Sequence, residues 1–189
     1  MKGYIYPMFA GADPEYGWEL NDPIFGRVPT LGACMPNIRK LVEEDDYIFA
    51  ISGRVEGAKQ YVVGGFQVAE KISALAAYGR FPELRQRKRI DGGLSGNIII
   101  TETGEQSATD YHNNFKKRID NYIVGKNPVV VDGNRAIARA RAETLDVMNE
   151  VFRVKAKRLS DVTARWRRLD EGQIERLVDW LQSLAVRGP

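Results

Sequence analysis

The chain has 189 residues, 43% of them apolar and 28% charged, which supports a packed core and excludes a disordered protein. One cysteine (Cys34) and one histidine (His112) exclude an internal disulfide and argue against a Cys/His zinc site. The formal net charge of +3 and a pI near 9.0 permit nucleic-acid binding without demanding it.

No apolar run approaches the ~20 residues that span a bilayer, so no membrane partner is expected. A lone cysteine fits a reducing cytoplasm. The start, Met1 to Pro7, has too short an apolar part for a signal peptide and reads as a first strand, Gly3 to Phe9. Ala10 to Pro29 is a Gly-, Pro- and Asp-rich loop carrying Tyr16, Trp18 and Phe25. A loop of that length is often functional, and its aromatics either fold back on the core or stand beside a ligand pocket.

The stretch Thr30 to Ile72 organises the rest. Pro36 suits the first turn of a helix running to about Glu44 and burying Ile38, Leu41 and Val42. Asp45-Asp46 ends it. Tyr47 to Ile51 is an apolar run bounded by Ser52-Gly53 and reads as a buried strand. Gln60 to Glu70 is a second strand whose Gly64-Gly65 pair marks a bulge or a close backbone approach. Ser73 caps a helical turn to Arg80. The basic stretch Arg80 to Ile90 and a turn at Asp91-Gly92-Gly93 lead to a strand at Asn97 to Thr101. Phe115 to Ile119 reads as a short helix, and Tyr122 to Val131 as strand interrupted at Gly125-Lys126-Asn127.

From Asn134 the pattern turns helical. Leu145, Met148, Val151, Phe152, Lys155 and Leu159 keep 3–4 spacing, which predicts one long amphipathic helix. Asp161 to Leu169 continues it or forms a turn around Trp166. Asp170 caps a last helix with Ile174, Leu177, Val178, Leu181 and Leu184 on one face. The expected division is a β-rich α+β core over 1–133 and a helical extension over 134–189 packed on it. Helices should fill most of 136–186.

No dinucleotide fingerprint, phosphate loop, GxSxG or HExxH occurs. No cofactor or metal is therefore expected. Cys34, just before a helix start, has the position of an acidified nucleophile, but an inert buried thiol is the commoner case. Arg39 either points into a cleft as an anion or base-edge contact or lies on a solvent-facing helix side. Asp45-Asp46 cannot jointly grip an ion, because adjacent strand residues point to opposite faces. His112 has neighbours that could orient an imidazole, with a plain surface histidine the commoner case. Basic residues collect at Arg80, Arg85, Arg87, Lys88 and Arg89, at Lys116, Lys117 and Arg118, and at Arg153, Lys155, Lys157, Arg158, Arg165, Arg167 and Arg168. With Phe81 and Trp166 interleaved, contact with a nucleic-acid backbone is as plausible as a solvated face. Arg80, Arg85, Arg87, Lys88, Arg89, Lys116 and Lys117 are the backbone-contact candidates.

Thr30-Leu31, Cys34, Pro36, Ile38-Arg39, Asp46-Tyr47, Ser52-Gly53 and Val68-Ala69-Glu70 follow the order of a TLA-x-CKP-x-IR element, a GDW-type turn and strand, and a YAMKVTE strand. In this the sequence resembles the nucleotide-modification-associated domain family, of the second and third types. The later match runs from Tyr78 to Phe81 and through the His112 region to Tyr122-Ile123-Val124. Met35, Asp45 and Ala69 depart from the pattern, and 134–189 lie outside the resemblance. The resemblance implies a phage or bacterial protein tied to DNA-base modification. The order of strands and helices is also similar to PUA, EVE and ASCH domains, which implies a small curved PUA-like sheet or partial β-barrel with a C-terminal helical segment.

The expected function is a non-catalytic binder of a nucleotide or (modified) nucleic-acid base, with DNA the favoured partner. The rivals are an enzyme using Cys34 or His112 on a nucleotide or base, and a structural protein that oligomerises through its C-terminal helices. The expected binding residues are Tyr16, Trp18, Thr30, Cys34, Arg39, Ser52 and Gly53.

Overall fold

A computed structural model describes residues 1–185. The fold is α+β, with a curled six-stranded sheet of order β2-β7-β4-β3-β1-β8 and helices concentrated toward the C-terminus. The strands are β1 (Gly3–Pro7), β2 (Thr30–Leu31), β3 (Tyr47–Ile51), β4 (Val62–Ile72), β7 (Tyr122–Val130) and β8 (Arg167–Leu169). A separate two-stranded ribbon pairs β5 (Arg87–Lys88) with β6 (Leu94–Ser95). The helices are α1 (Pro36–Leu41), α2 (Ala74–Arg80), α3 (Phe115–Arg118), α4 (Asn134–Phe152), α5 (Leu159–Thr163) and α6 (Glu171–Ala185). None of them is long and apolar enough to cross a membrane.

The chain forms two compact units that interleave along the sequence. The first takes Met1–Trp18, Asp45–Gln67 and everything from Asn127 on. In it β1 runs parallel to β3, with Gly3 opposite Tyr47, and antiparallel to β8, with Gly3 opposite Leu169. β3 pairs antiparallel with β4 and slips register between Ala50 and Ile51. Such a bulge bends the strand pair. Gly65 lies opposite Phe49, whose ring fills the space a side chain at Gly65 would need. The glycine pair thus reports both the bulge and the close approach that its position in the sequence suggests. Residues 134–185 belong to this same unit, α4 packing on α6 and α5. Residues 186–189, the end of the expected extension, lie outside the described residues.

Two sequence expectations need correction here. The long helix through Lys155 and Leu159 stops at Phe152, because Arg153 turns left-handed (φ 53°) and closes the helix. Asn149 then brackets Ala156 with two hydrogen bonds of 2.8 and 3.0 Å, fixing a loop where periodicity suggested helix. Arg167–Leu169 is a strand, which its Arg-Arg-Leu composition hides, and the half-buried Trp166 beside it packs edge-on against Tyr4. α6 is capped as expected. Asp170 accepts from the Gln173 N–H while Gln173 accepts from the Asp170 N–H, a reciprocal box. Ile174, Leu177, Leu181 and Leu184 of its predicted apolar face are buried within the unit.

The second unit takes Glu19–Glu44 and Val68–Lys126. Thr30 in β2 lies opposite Val124 in β7. Its core joins Ala74, Ala77, Phe81, Ile98, Ile100, Tyr122 and Val124. Phe81, which the sequence sets among basic residues, belongs to that core. Asn97 to Thr101, buried through Ile100, is not a strand. It makes only isolated bridges, Ile98 with Arg85 and Ile100 with Gln106. α1 is shorter than expected and buries Arg39 in place of Leu41, which is exposed.

Candidate functional site

Cys34, Thr30 and Arg39 lie in the second unit, in a polar network built on Asp22 and Asn97. The Asp22 carboxylate accepts from the N–H groups of Gly32, Ala33 and Cys34 and from Asn97 Nδ2. Asn97 also donates to Thr30 Oγ1 at 2.9 Å and accepts from the Tyr122 hydroxyl at 2.7 Å. Gly32 must be glycine here, since a side chain would collide with the Asn97 carbonyl and the Tyr122 ring. Arg39 is fully buried. Its Nε donates to Cys34 O, Nη1 to the carbonyls of Asp120 and Asn121, and Nη2 to those of Ala33 and Arg118. A guanidinium has five N–H groups, so all are committed to backbone. The fork expected to hold a phosphate or base edge instead fastens the α1 entry to residues 118–121. Burial pulls its pKa below the ordinary arginine value. Burial, seconded by Asp22, pushes the Cys34 thiol far up, so the sulfur stays protonated at neutral pH. A protonated thiol does not serve as a nucleophile.

Ser52 and Gly53 lie in the first unit and pin the base of the loop between β3 and β4. Ser52 Oγ accepts from the Tyr61 N–H at 3.1 Å, and its carbonyl accepts from Gln60 Nε2 at 2.7 Å. The Gly53 N–H donates to Ala12 O, and the Gly11 N–H to Arg54 O. A Cβ at Gly53 would strike the Phe9 carbonyl. The backbone N–H groups of both residues are committed to carbonyls of Tyr61 and Ala12, and the pair fixes the loop.

That loop forms one wall of a cavity of about 470 Å³ in the first unit. Arg54, Lys59 and Gln60 stand on this wall, Arg141 and Leu145 of α4 on another, and Lys157, Arg158 and Ser160 on a third. A smaller space of about 210 Å³ shares Arg54, Gln60, Leu159 and Ser160 with it. Five cations and one carboxylate, Asp146, line the larger cavity. Arg158 pairs with Asp161, whereas Arg54, Lys59 and Lys157 have no carboxylate partner among the described residues. Three or more unneutralised cations around a concavity create a positive potential that attracts phosphate.

Arg141 anchors the deep end. It is positioned by α4, whose Thr144, one turn on, accepts from the Val62 N–H through Oγ1 at 3.1 Å. Its Nη2 donates to Asp13 Oδ1 at 2.7 Å, its Nε to Glu15 Oε2 at 2.8 Å, and its Nη1 to Lys59 O. The guanidinium lies 4.6 Å from the Tyr61 ring centroid and 5.7 Å from that of Tyr16. Burial pulls its pKa down, but the bonds to Asp13 and Glu15 outweigh this and hold it above the ordinary value. Three of its five N–H groups are used, and two remain.

Tyr16 is 56% exposed beside Arg141. Trp18 is half-buried, edge-on to the exposed Phe9 at 4.7 Å. The structure therefore gathers Tyr16, Trp18, Ser52 and Gly53 in one unit and Thr30, Cys34 and Arg39 in the other. Arg141, Asp13 and Tyr61 escaped sequence reasoning. Asp13-Pro14 signals a turn start, and Asp13 does cap the 3-10 turn at Pro14–Tyr16, but nothing in Arg139 to Glu143 singles out Arg141.

Among the backbone-contact candidates, Arg80 pairs with Glu70, Arg85 stacks on Tyr78 while bonding its carbonyl, and Arg89 pairs with Asp91 and Glu19. Arg87, Lys88, Lys116 and Lys117 are exposed. His112 Nδ1 lies 2.5 Å from Asp110 Oδ1, the carboxylate being buried and the imidazole partly open.

The family model described as nucleotide modification associated domain 2 matches residues 17–123. No curated protein and no solved structure matches the chain. The match takes in the Arg54–Gln60 wall of the cavity and leaves out the α4 and 157–160 walls.

Proposed function

The chain belongs to the nucleotide modification associated domain 2 family, and from that premise we propose that it binds a nucleotide or a nucleic-acid segment, DNA foremost, in the cation-lined cavity of its first unit. One observation carries the reading: Arg54, Lys59 and Lys157, unpaired among the described residues, converge on a concavity of about 470 Å³ that a single carboxylate, Asp146, also lines. That volume falls within the range of small-molecule sites. Tyr16, exposed beside the lining residue Arg141, supplies a flat face for stacking, and Ser52-Gly53 holds the cationic loop in place. The exposed Arg87, Lys88, Lys116 and Lys117 add long-range attraction for a polyanion. The protein acts in recognition within a DNA-modification pathway.

The test is a titration with a fluorescein-labelled single-stranded oligonucleotide. Combining Arg54→Ala with Lys157→Ala weakens binding about tenfold at moderate salt and leaves the folded spectrum intact. Unchanged affinity in the double variant removes the cavity as the site.

A second reading, an enzyme acting on a nucleotide or base, is favoured by the Asp110–His112 pair, since a buried carboxylate orients an accessible imidazole. It predicts turnover of a nucleotide that His112→Ala abolishes while binding persists.

A further inference from the structure

We propose that the Arg141 end of the cavity reads the hydrogen-bonding edge of a nucleobase, so that the ligand is a nucleotide unit, base plus phosphate, and not a phosphate alone. This rests on the cavity being the binding site.

Asp13 is 1% exposed. Its Oδ1 accepts from the Glu15 N–H and from Arg141, but its Oδ2 is buried with no partner among the described residues. Tyr61 is fully buried, and its hydroxyl also has no partner. Burial, with Asp13 next among the causes, pushes the Tyr61 phenol up, so it remains a hydroxyl that can donate. Arg141, stacked on the Tyr61 ring, keeps two N–H groups unused. One place thus offers a carboxylate acceptor, a phenolic hydroxyl and two guanidinium donors. Native proteins leave few buried polar atoms unsatisfied, and each calls for a partner.

The sign of the charges decides which partner fits. A phosphate offers only acceptors, so Arg141 could bind one but Asp13 would repel it. A nucleobase edge sets N–H donors beside carbonyl or ring-nitrogen acceptors and satisfies both. The phosphate belongs instead on Arg54, Lys59 and Lys157, none of which is paired with a carboxylate among the described residues. Arg141 lines the cavity and touches both groups, bonding Asp13 and lying over the Tyr61 ring.

The experiment is calorimetric titration of the full chain with the four common nucleoside 5′-monophosphates and with ribose 5-phosphate. At least one nucleotide binds ten times more tightly than ribose 5-phosphate. Tyr61→Phe and Asp13→Asn each shrink that ratio about tenfold. Tyr61→Phe does so without lowering the melting temperature, because the hydroxyl it removes has no native partner. A wild-type ratio near one overturns the base-reading proposal alone, provided ribose 5-phosphate binding still depends on Arg54 and Lys157. So does an unchanged ratio in Tyr61→Phe, and a lowered melting temperature beside an unchanged ratio marks a structural water on the hydroxyl instead of a base. Binding of neither ligand class overturns the cavity reading and this proposal together.

Discussion

Arg39 and Arg141 are both withdrawn from solvent, and the two regions around them use the same side chain in opposite ways. In the second unit Arg39 meets five backbone carbonyls and spends every donor. Around it Asp22, Asn97, Thr30 and Tyr122 close on one another. In the first unit Arg141 meets two carboxylates and one carbonyl, borders a cavity, and lies beside two buried polar atoms without partners. A saturated network fixes one conformation, whereas an unsaturated one beside a cavity has something left to recognise with. A buried arginine is therefore not in itself a sign of a site; its unspent donors and its neighbours are.

The largest effect expected from breaking this contrast is on stability in the Arg39 region. Arg39→Met strands five carbonyls, and with orphaned buried polar groups costing roughly 1–3 kcal/mol each before relaxation, a loss of about 4 kcal/mol or more is expected. Urea unfolding reads it directly. A loss below about 1 kcal/mol would show that the network closes without its centre.

The fold was largely legible and the site was not. Tyr47–Ile51 is apolar throughout because it is buried between neighbours, and Gly64-Gly65 announces the register slip opposite Ala50. Ser73 and Asp170 cap helices by local hydrogen bonds that the sequence spells out. By contrast, Asn149 closing on Ala156 and Arg167–Leu169 pairing with β1 are decided by tertiary partners, which periodicity does not contain. The Thr30–Arg39 element stands out in the sequence because many residues there meet strict packing and hydrogen-bond demands, and such demands mark a frame as readily as a ligand site. Arg141 reaches Asp13 across 128 residues, so no local pattern reveals it.

Effects on the Arg141 side fall on binding more than on folding. Tyr16→Ala removes an exposed ring, so stability should stay within about 0.5 kcal/mol. If a base stacks on it, oligonucleotide affinity falls about fivefold to tenfold, the order of one aromatic–base contact. Retained affinity in a fluorescence titration would confine recognition to the polar walls.

A smaller effect sharpens the picture of α4, the helix that places Arg141. Glu143 accepts from Arg139 and from the Trp180 indole, and these bonds hold its carboxyl below its ordinary value of 4.5. A carboxylate depressed in the folded state stabilises above its unfolded pKa and loses that contribution as pH falls through the folded one. Trp180 emission should thus shift only below about pH 4.5, and Glu143→Gln should abolish the shift. The side chain is partly exposed, so the accompanying change in stability is small.

The most direct test of the cavity as the site is the salt dependence of oligonucleotide binding in two quadruple alanine variants. One removes Arg54, Lys59, Lys157 and Arg158 of the first unit, the other Arg87, Lys88, Lys116 and Lys117 of the second. Each phosphate contact to a single strand contributes roughly 0.7 to the slope of log affinity against log salt. The cavity assignment predicts that the first variant loses two or more units of slope and most of its affinity, while the second loses less than one. The reverse pattern, with the first variant binding like wild type, would contradict it.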